Sequence, residues 1–302
     1  MTTVNASGAG ATPPRFSVTM PAYNASATIA EAIRSVLTQT HSDWELVVVD
    51  DGSTDATAAI VASYAERDPR IRLVRQDNAG TAAARNTGWQ HARGAFVARF
   101  DADDVLLPNY LAEIDRFIGE HPGYQIYACN AWRIRDDGSR VLFHRAPRFS
   151  RVVELTVEDM LEESQIFTAA VSPRELLERE GGYRPGVFVE EYDFWLRAMA
   201  RGARHVYDPE PLVLYRESAS QMTAEVIRVH ESQIWVLRDA ARSGLLAPEQ
   251  IVIARRSIRL LEQNLCFRRT AARVLGQKGA ERAVHIARKA AGIARPYRWR
   301  KK

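Results

Sequence analysis

The sequence predicts an α/β fold built on a mostly parallel sheet, and three observations carry that reading. From Arg15 to about Pro108, short β-rich runs alternate with stretches of helical length. The run LVVV, Leu46 to Val49, is apolar at successive positions, as a strand covered on both faces must be. With 46% hydrophobic and 26% charged residues over 302 positions, the chain has an ordinary globular composition, enough for one large domain or two smaller ones.

Residues 1–14 are small, polar and rich in Pro and Gly, without the basic start and apolar run of a signal peptide, and read as a disordered leader. FSVTMPAY then reads as a strand before the helix SATIAEAIRSVLTQ, ELVVVDD before DATAAIVASYAER, IRLVRQ before GTAAARNTGWQHA, and AFVARFD before PNYLAEIDRFIGE. Strand–helix units in series imply a parallel sheet with helices on both sides. Residues 109–222 read as a mixed half completing the same domain. YQIYACNAWRIR and RVLFHRA form a hairpin around an Asp-Gly turn, followed by a helix near VEDMLEES, a strand QIFTAAVS, helices PRELLERE and EEYDFWLRAMARG, and a strand at LVLYR. Residues 223–302 read as helical.

Composition excludes several classes. Cys129 and Cys266 lie far apart with no CxxC partner, which argues against disulfide scaffolding and a zinc site and for a reducing cytoplasm. No uncharged run approaches the roughly 20 residues that span a bilayer. Residues 225–302 hold 18 Lys and Arg against 6 Asp and Glu, so an otherwise acidic body carries a basic extension.

In open α/β sheets, ligands bind beyond the carboxyl ends of the strands. PAYN, DDGSTD, QDNAG and DADD each follow a strand and should converge on that edge. In DADD, Asp101, Asp103 and Asp104 repel one another unless a positive group lies between them. Hard carboxylate oxygens at such a turn suit Mg²⁺ or Mn²⁺. The alternative is an acidic turn that caps the helix starting near Pro108.

TMPAYNASATIAEAIRSVLTQTHSDWELVVVDDGSTD, QDNAGTAAARNTGWQHARG, FDADDVLLP and GGYRPGVFVEEYDFWLRAMARG, in this order and at these spacings, resemble family 2 glycosyltransferases over roughly residues 15–216. The resemblance implies a GT-A fold, with a Rossmann-like sheet in which residues 15–108 form the nucleotide-binding half and 109–222 the acceptor half. It also implies an inverting enzyme that moves a sugar from a nucleotide-diphosphate sugar to a hydroxyl acceptor, in a polysaccharide, lipid-linked oligosaccharide or glycolipid, with Mn²⁺ or Mg²⁺. The family's DxD motif falls on Asp101 and Asp103, with Asp104 adjacent as a third ligand. Asp50 or Asp51 would accept a hydrogen bond from the base, while Pro21, Tyr23 and Asn24 line that pocket and Tyr23 lies against the ring. Residues 53–55 start the next helix in either case. Asn78, Gly80, Arg85 and Asn86 fall on the family's N-x-G and ARN elements. Gly80 permits close backbone approach, and Arg85 faces either the diphosphate or Asp101.

Inverting transfer needs a base to take the acceptor proton. The family supplies the Asp of a Glu-Asp pair, whereas this chain has Glu190-Glu191, with Glu191 at the Asp position. Glutamate shares the chemistry, but its extra methylene moves the carboxylate by about 1 Å, a displacement that can cost about a hundredfold in rate. Glu191 as base, Glu190 in its place, or an impaired enzyme that still binds nucleotide sugar all stay open. A nucleotidyltransferase would need a glycine-rich basic loop after the first strand, which PAYNASAT lacks. Trp195 has core spacing and reads as packing. Arg216 falls where some family members have YRxH, but Glu217 and Ser218 follow it, so no His ligand is available there.

In the extension, Ile251, Ala254, Ile258, Leu261 and Leu265 form a stripe that packs inward, leaving Arg255, Arg256 and Arg259 elsewhere. The ending ARPYRWRKK interleaves Tyr297 and Trp299 with basic residues and suits an anionic membrane surface, giving a cytoplasmic protein peripheral to the inner face of the membrane. No nucleic-acid-binding fold is recognisable, and nucleic acid is not expected as a partner.

Overall fold

Strands β1 (Phe16–Ala22) and β2 (Trp44–Asp51) lie side by side in parallel, and every residue of β2 is buried, as its unbroken apolar run requires. The computed structural model describes residues 12–135, 138–162, 169–216 and 225–290. β3 (Ile71–Gln76) pairs with β2 in parallel, and β4 (Phe96–Arg99) pairs in parallel with the other side of β1. The chain thus builds outward from β1, then returns across it, and the order reverses between β1 and β4.

Helices close both faces of this half. α1 (Ile29–Leu37) and α4 (Tyr110–Glu120) bury Ile29, Ile33, Tyr110 and Phe117 in one cluster with Val18, Met20, Leu46 and Val48. On the opposite face, Val47, Val49 and Val74 pack with Ala84 of α3 (Thr81–His91). β2 therefore feeds two cores through the twofold alternation of its side chains. α2 (Thr57–Ala65) packs along β3.

Beyond β4 the sheet becomes mixed. With β5 (Val105–Leu106), β6 (Ile126–Ile134), β9 (Val171–Pro173) and β10 (His205–Arg216), the strand order is β3-β2-β1-β4-β9-β6-β10-β5. β9 runs antiparallel to both β4 and β6, β10 is parallel to β6, and β5 is antiparallel to β10. The expected hairpin is present: β6 pairs with β7 (Arg140–Leu142), and Gly138 has the positive φ that such a turn needs. Its Asp137 lies outside the described residues, as do 165–168 of the strand expected at QIFTAAVS. β8 (Val153–Leu155) pairs with β10. α6 (Arg174–Glu180) ends on Gly181 in the left-handed conformation.

Packing divides the chain into a sheet unit and a helical unit. The helical unit begins earlier than the expected boundary at 222/223. Among the described residues it takes in 156–162 and 187–201 together with 225–290. Its elements are α5 (Val157–Glu162), α7 (Glu190–Ala200), α8 (Val226–Arg242) and the long α9 (Pro248–Ala290). The stripe expected on α9 is buried at Ala254, Ile258 and Leu265. The leader through residue 11 and the ending ARPYRWRKK lie outside the described residues. No described helix is long and apolar enough to cross a membrane.

At the opposite end of the sheet from the motif loops, Glu45 is 1% exposed. It accepts hydrogen bonds from Ser17 Oγ, the Arg93 backbone N–H and Nε, and Arg72. Glu45→Ala leaves those partners with a lost anion, so it should destabilise the fold by about 3–5 kcal/mol in denaturant titration.

Candidate functional site

Hydrogen bonds from side chains to backbone tie the loops after β1, β2 and β3 together. Asn24, with a positive φ of 49°, accepts the Thr54 N–H at 2.9 Å through Oδ1, and its own N–H donates to Ser53 Oγ at 3.0 Å. Asp55 accepts the Ser26 N–H at 3.1 Å and the Thr57 N–H at 2.9 Å, so it serves the start of α2 as expected and also holds the neighbouring loop. Hydrogen bonds from the Thr57 side chain and then from Ser26 hold its carboxyl well below the usual range.

The adjacent carboxylates of β2 face two ways. Asp50 is fully buried, accepts the Ser53 N–H and pairs with Arg75 Nε at 3.2 Å. Asp51 orders the loop after β3, accepting Gln76 Nε2 at 2.7 Å, the Ala79 N–H at 2.9 Å and the Gly80 N–H at 3.0 Å. Gly80, with φ of 85°, is the N-cap of α3. The two loops touch at backbone level: a Cβ on Gly52 would lie 2.8 Å from the Asn78 backbone nitrogen. Pro21 is half-buried at this edge, and Tyr23, 52% exposed, presents an open ring there.

The DADD turn leaves the carboxyl end of β4, beside the point where the strand order reverses. Arg85 of α3 reaches Asp101 Oδ1 and Arg99 of β4 reaches Oδ2, each at 3.0 Å. Both guanidinium groups are buried, while the Asp101 side chain is 32% exposed. Burial alone would raise the Asp101 carboxyl, but the charges of Arg85 and Arg99 outweigh it and hold the carboxyl below its ordinary value. Asp101 is one of the two partners expected for Arg85. Arg99 is absent from the sequence-based site. The signal for it is an arginine inside an apolar strand two residues before an aspartate, the spacing that places both on one face.

Asp103 is half-buried, and its carbonyl accepts Arg216 Nε at 3.0 Å. Asp104 is 3% exposed and accepts the Arg216 N–H at 3.1 Å. Burial pushes its carboxyl well above the ordinary range, and the charges of Asp103 and Asp101 push the same way. Arg216 also pairs with Glu31. The three carboxylates expected to share one cation do not form a ready-made cage: among the described residues no three His, Cys, Asp or Glu side chains are grouped to hold a metal. The positive charge that balances this turn comes from arginine.

Asn86 clamps the GGY loop to α3. Its Nδ2 donates to the Tyr183 carbonyl at 2.7 Å, while Oδ1 accepts the Tyr183 N–H at 2.8 Å and Trp89 Nε1 at 3.0 Å. In the helical unit, Glu190, Glu191 and Asp193 occupy the first turn of α7, where the helix dipole favours negative charge. Glu190 is 3% exposed and Glu191 half-buried. Asp193 is fully buried and pairs with Arg197 at 3.0 Å. Trp195 is packed edge-on against Phe194, as its spacing predicts.

A mixed α/β sheet with acidic and glycine-containing loops gathered at the carboxyl edge, and helices on both faces, defines a GT-A architecture. The same fold appears in TarS from S. aureus, solved in complex with UDP-GlcNAc, at a TM-score of 0.67 and 21% identity over 85% of this chain and 74% of that one. It appears too in the mannosyltransferase PcManGT from Pyrobaculum calidifontis, in complex with GDP-Man and Mn²⁺, at a TM-score of 0.61 and 25% identity over 98% and 85%. Residues 17–179 match glycosyl transferase family 2, and the chain belongs to that family. It is 30% identical to the putative glycosyltransferase EpsE of Bacillus subtilis over 82% of this chain and 89% of that protein. It is 31% identical to the succinoglycan biosynthesis protein ExoO of Rhizobium meliloti over 76% and 68%. Against another relative, the uncharacterized protein y4gI of Sinorhizobium fredii, the match takes in only 20% of the relative's length.

Two measurements probe the arginine-balanced turn. If Arg99 acts through Asp101, Arg99→Met and Asp101→Asn should be non-additive in a double-mutant cycle of unfolding free energies, with a coupling of about 0.5–3 kcal/mol. Additive losses would contradict that pairing. Asp104→Asn keeps the acceptor for Arg216 and removes a buried charge. A carboxyl with a raised folded-state pKa stabilises least once it ionises, so the Tm advantage of Asp104→Asn should grow as pH rises from about 4 towards neutrality. An advantage that shrinks with rising pH would show that the Asp104 charge is stabilising.

Proposed function

We propose that this chain transfers a sugar from a nucleotide-diphosphate sugar to a hydroxyl acceptor with inversion at the anomeric carbon, aided by Mn²⁺ or Mg²⁺ and working at the cytoplasmic face of the membrane. One observation carries the reading. Asp101 stands at the carboxyl end of β4, beside the reversal of strand order, ionised and oriented by two buried arginines. The family supports the transferase class, and the glycosyltransferase name of EpsE agrees with it.

The donor set fits a hard divalent cation: the oxygens at the turn are carboxylates, and Asp101 and Asp103 keep partial exposure. Asp101 and Asp103 would hold the ion, with Asp104 bracing the turn from the core. Such an ion commonly takes only one or two carboxylates, with phosphate oxygens and water completing its shell. When bound, it supplies charge stabilisation to the departing nucleoside diphosphate. Asp50 or Asp51 with Pro21, Tyr23 and Asn24 would receive the nucleoside, Tyr23 offering its exposed ring. Asn78 and the Gly80 backbone would border the diphosphate, with Arg85 steadying Asp101 beside it.

Glu191 is the base that takes the acceptor proton. It is the less buried of the glutamate pair, Glu190 being 3% exposed. The acceptor is a polysaccharide, a lipid-linked oligosaccharide or a glycolipid. The succinoglycan named for ExoO favours the first of these.

Incubation with UDP-, GDP- and dTDP-sugars and Mn²⁺ should release nucleoside diphosphate slowly in the absence of acceptor, with one donor preferred. Glu191→Gln should lower transfer by about a hundredfold or more while leaving donor affinity unchanged. Transfer that survives this change removes Glu191 from the role of base. Metal-dependent nucleotide binding without release from any donor would identify a binding module instead.

A further inference from the structure

The exposed side of α9 departs from its inward stripe in a specific way. Val252, Leu260 and Phe267 are 64%, 51% and 46% exposed, large apolar side chains that would ordinarily be covered. At 100° per residue these positions fall within an arc of roughly 80° on the helix surface. Arg256 lies inside that arc, and Arg259 and Arg255 lie beyond one edge of it, all three exposed. Among the side chains the structure describes, the acidic residue within this arc is Glu249, in the first turn. On α8, Trp235 is 48% exposed beside Cys266, Arg269 and Arg273, which line the groove between the two helices.

We propose that this face of α9 docks on an anionic phospholipid surface. The charge selects the occupant. A second copy packed by a twofold axis would bring Arg255, Arg256 and Arg259 towards their own counterparts, a like-charge contact that opposes self-association. A nucleic acid would satisfy the arginines but gives no role to the exposed apolar side chains. An anionic bilayer meets both: phosphates receive the guanidinium groups, while Val252, Leu260 and Phe267 enter the boundary of the acyl chains. The helix lies along the surface and does not cross it, in keeping with the absence of a membrane-spanning helix among the described residues. The docking does not depend on the transfer reaction and is measured without any sugar donor.

The test is co-sedimentation of the full chain with vesicles of phosphatidylcholine alone and of phosphatidylcholine mixed with phosphatidylglycerol. The chain should partition onto the anionic vesicles and be released by raised salt. Arg255→Glu/Arg256→Glu/Arg259→Glu should lower the partition coefficient by roughly tenfold or more, and Val252→Ser/Leu260→Ser/Phe267→Ser should lower it comparably. Both variants should keep the native circular dichroism spectrum and the nucleoside diphosphate release of the parent. Equal binding to neutral and anionic vesicles would overturn the proposal. So would undiminished binding by both variants, which keep the basic ending of the chain, or duplex DNA binding as tight as vesicle binding and unaffected by the serine substitutions.

Discussion

The carboxylate of Asp101, held between Arg85 and Arg99, is the interaction on which the acidic edge of the sheet depends. Two guanidinium groups that are 8% and 4% exposed cannot stand there without an anion. Asp101 supplies it, and in doing so joins α3, which packs against β1 and β2, to the end of β4. A carboxylate has room for about four hydrogen bonds, so the two arginines orient Asp101 without closing it to a further partner. A turn with three carboxylates is thereby settled before any ligand arrives: Asp101 by charge, Asp104 by a raised pKa, and the backbone between them by Arg216.

The neighbouring loops follow the same economy of partners. Asn24, Asp51 and Asp55 each reach across to the backbone of another loop, so three loops of different strands behave as one surface. Such bonds order the edge in advance and reduce what binding would otherwise lose in loop entropy. Asn86 extends the principle to the GGY loop, almost a hundred residues on in the sequence.

The parallel half of the fold was legible because its signals are local. Doubly buried strands read as unbroken apolar runs, and the motif loops follow them directly. The hairpin at β6 and β7 was readable for the same reason, since an Asp-Gly pair between two strand-like runs announces the turn. Partnerships made in space were not legible. The pairing of Arg85 with Asp101, the contribution of Arg99, and the capture of the Gly80 N–H by Asp51 join residues whose separation in the chain says nothing about contact. The grouping of α5 and α7 with the C-terminal helices was hidden for a similar reason: periodicity shows that a helix has an apolar face but not what covers it. On α9 the inward stripe at Ala254, Ile258 and Leu265 was readable, whereas the exposed Val252, Leu260 and Phe267 emerge only when the covered side is known.

The close approach of Gly52 to Asn78 bears on how this edge can diversify. With a backbone nitrogen in the space a Cβ would fill, and a φ of +74° besides, position 52 is closed to every side chain, whatever the ligand. The distance between the second and third loops is therefore fixed by main chain and cannot be tuned by residue choice at that point. Freedom to vary begins one step outward, at Tyr23 and Asn78, whose side chains reach solvent. Chains built on this plan can change what they recognise by exchanging rim residues, while the spacing of the floor stays the same.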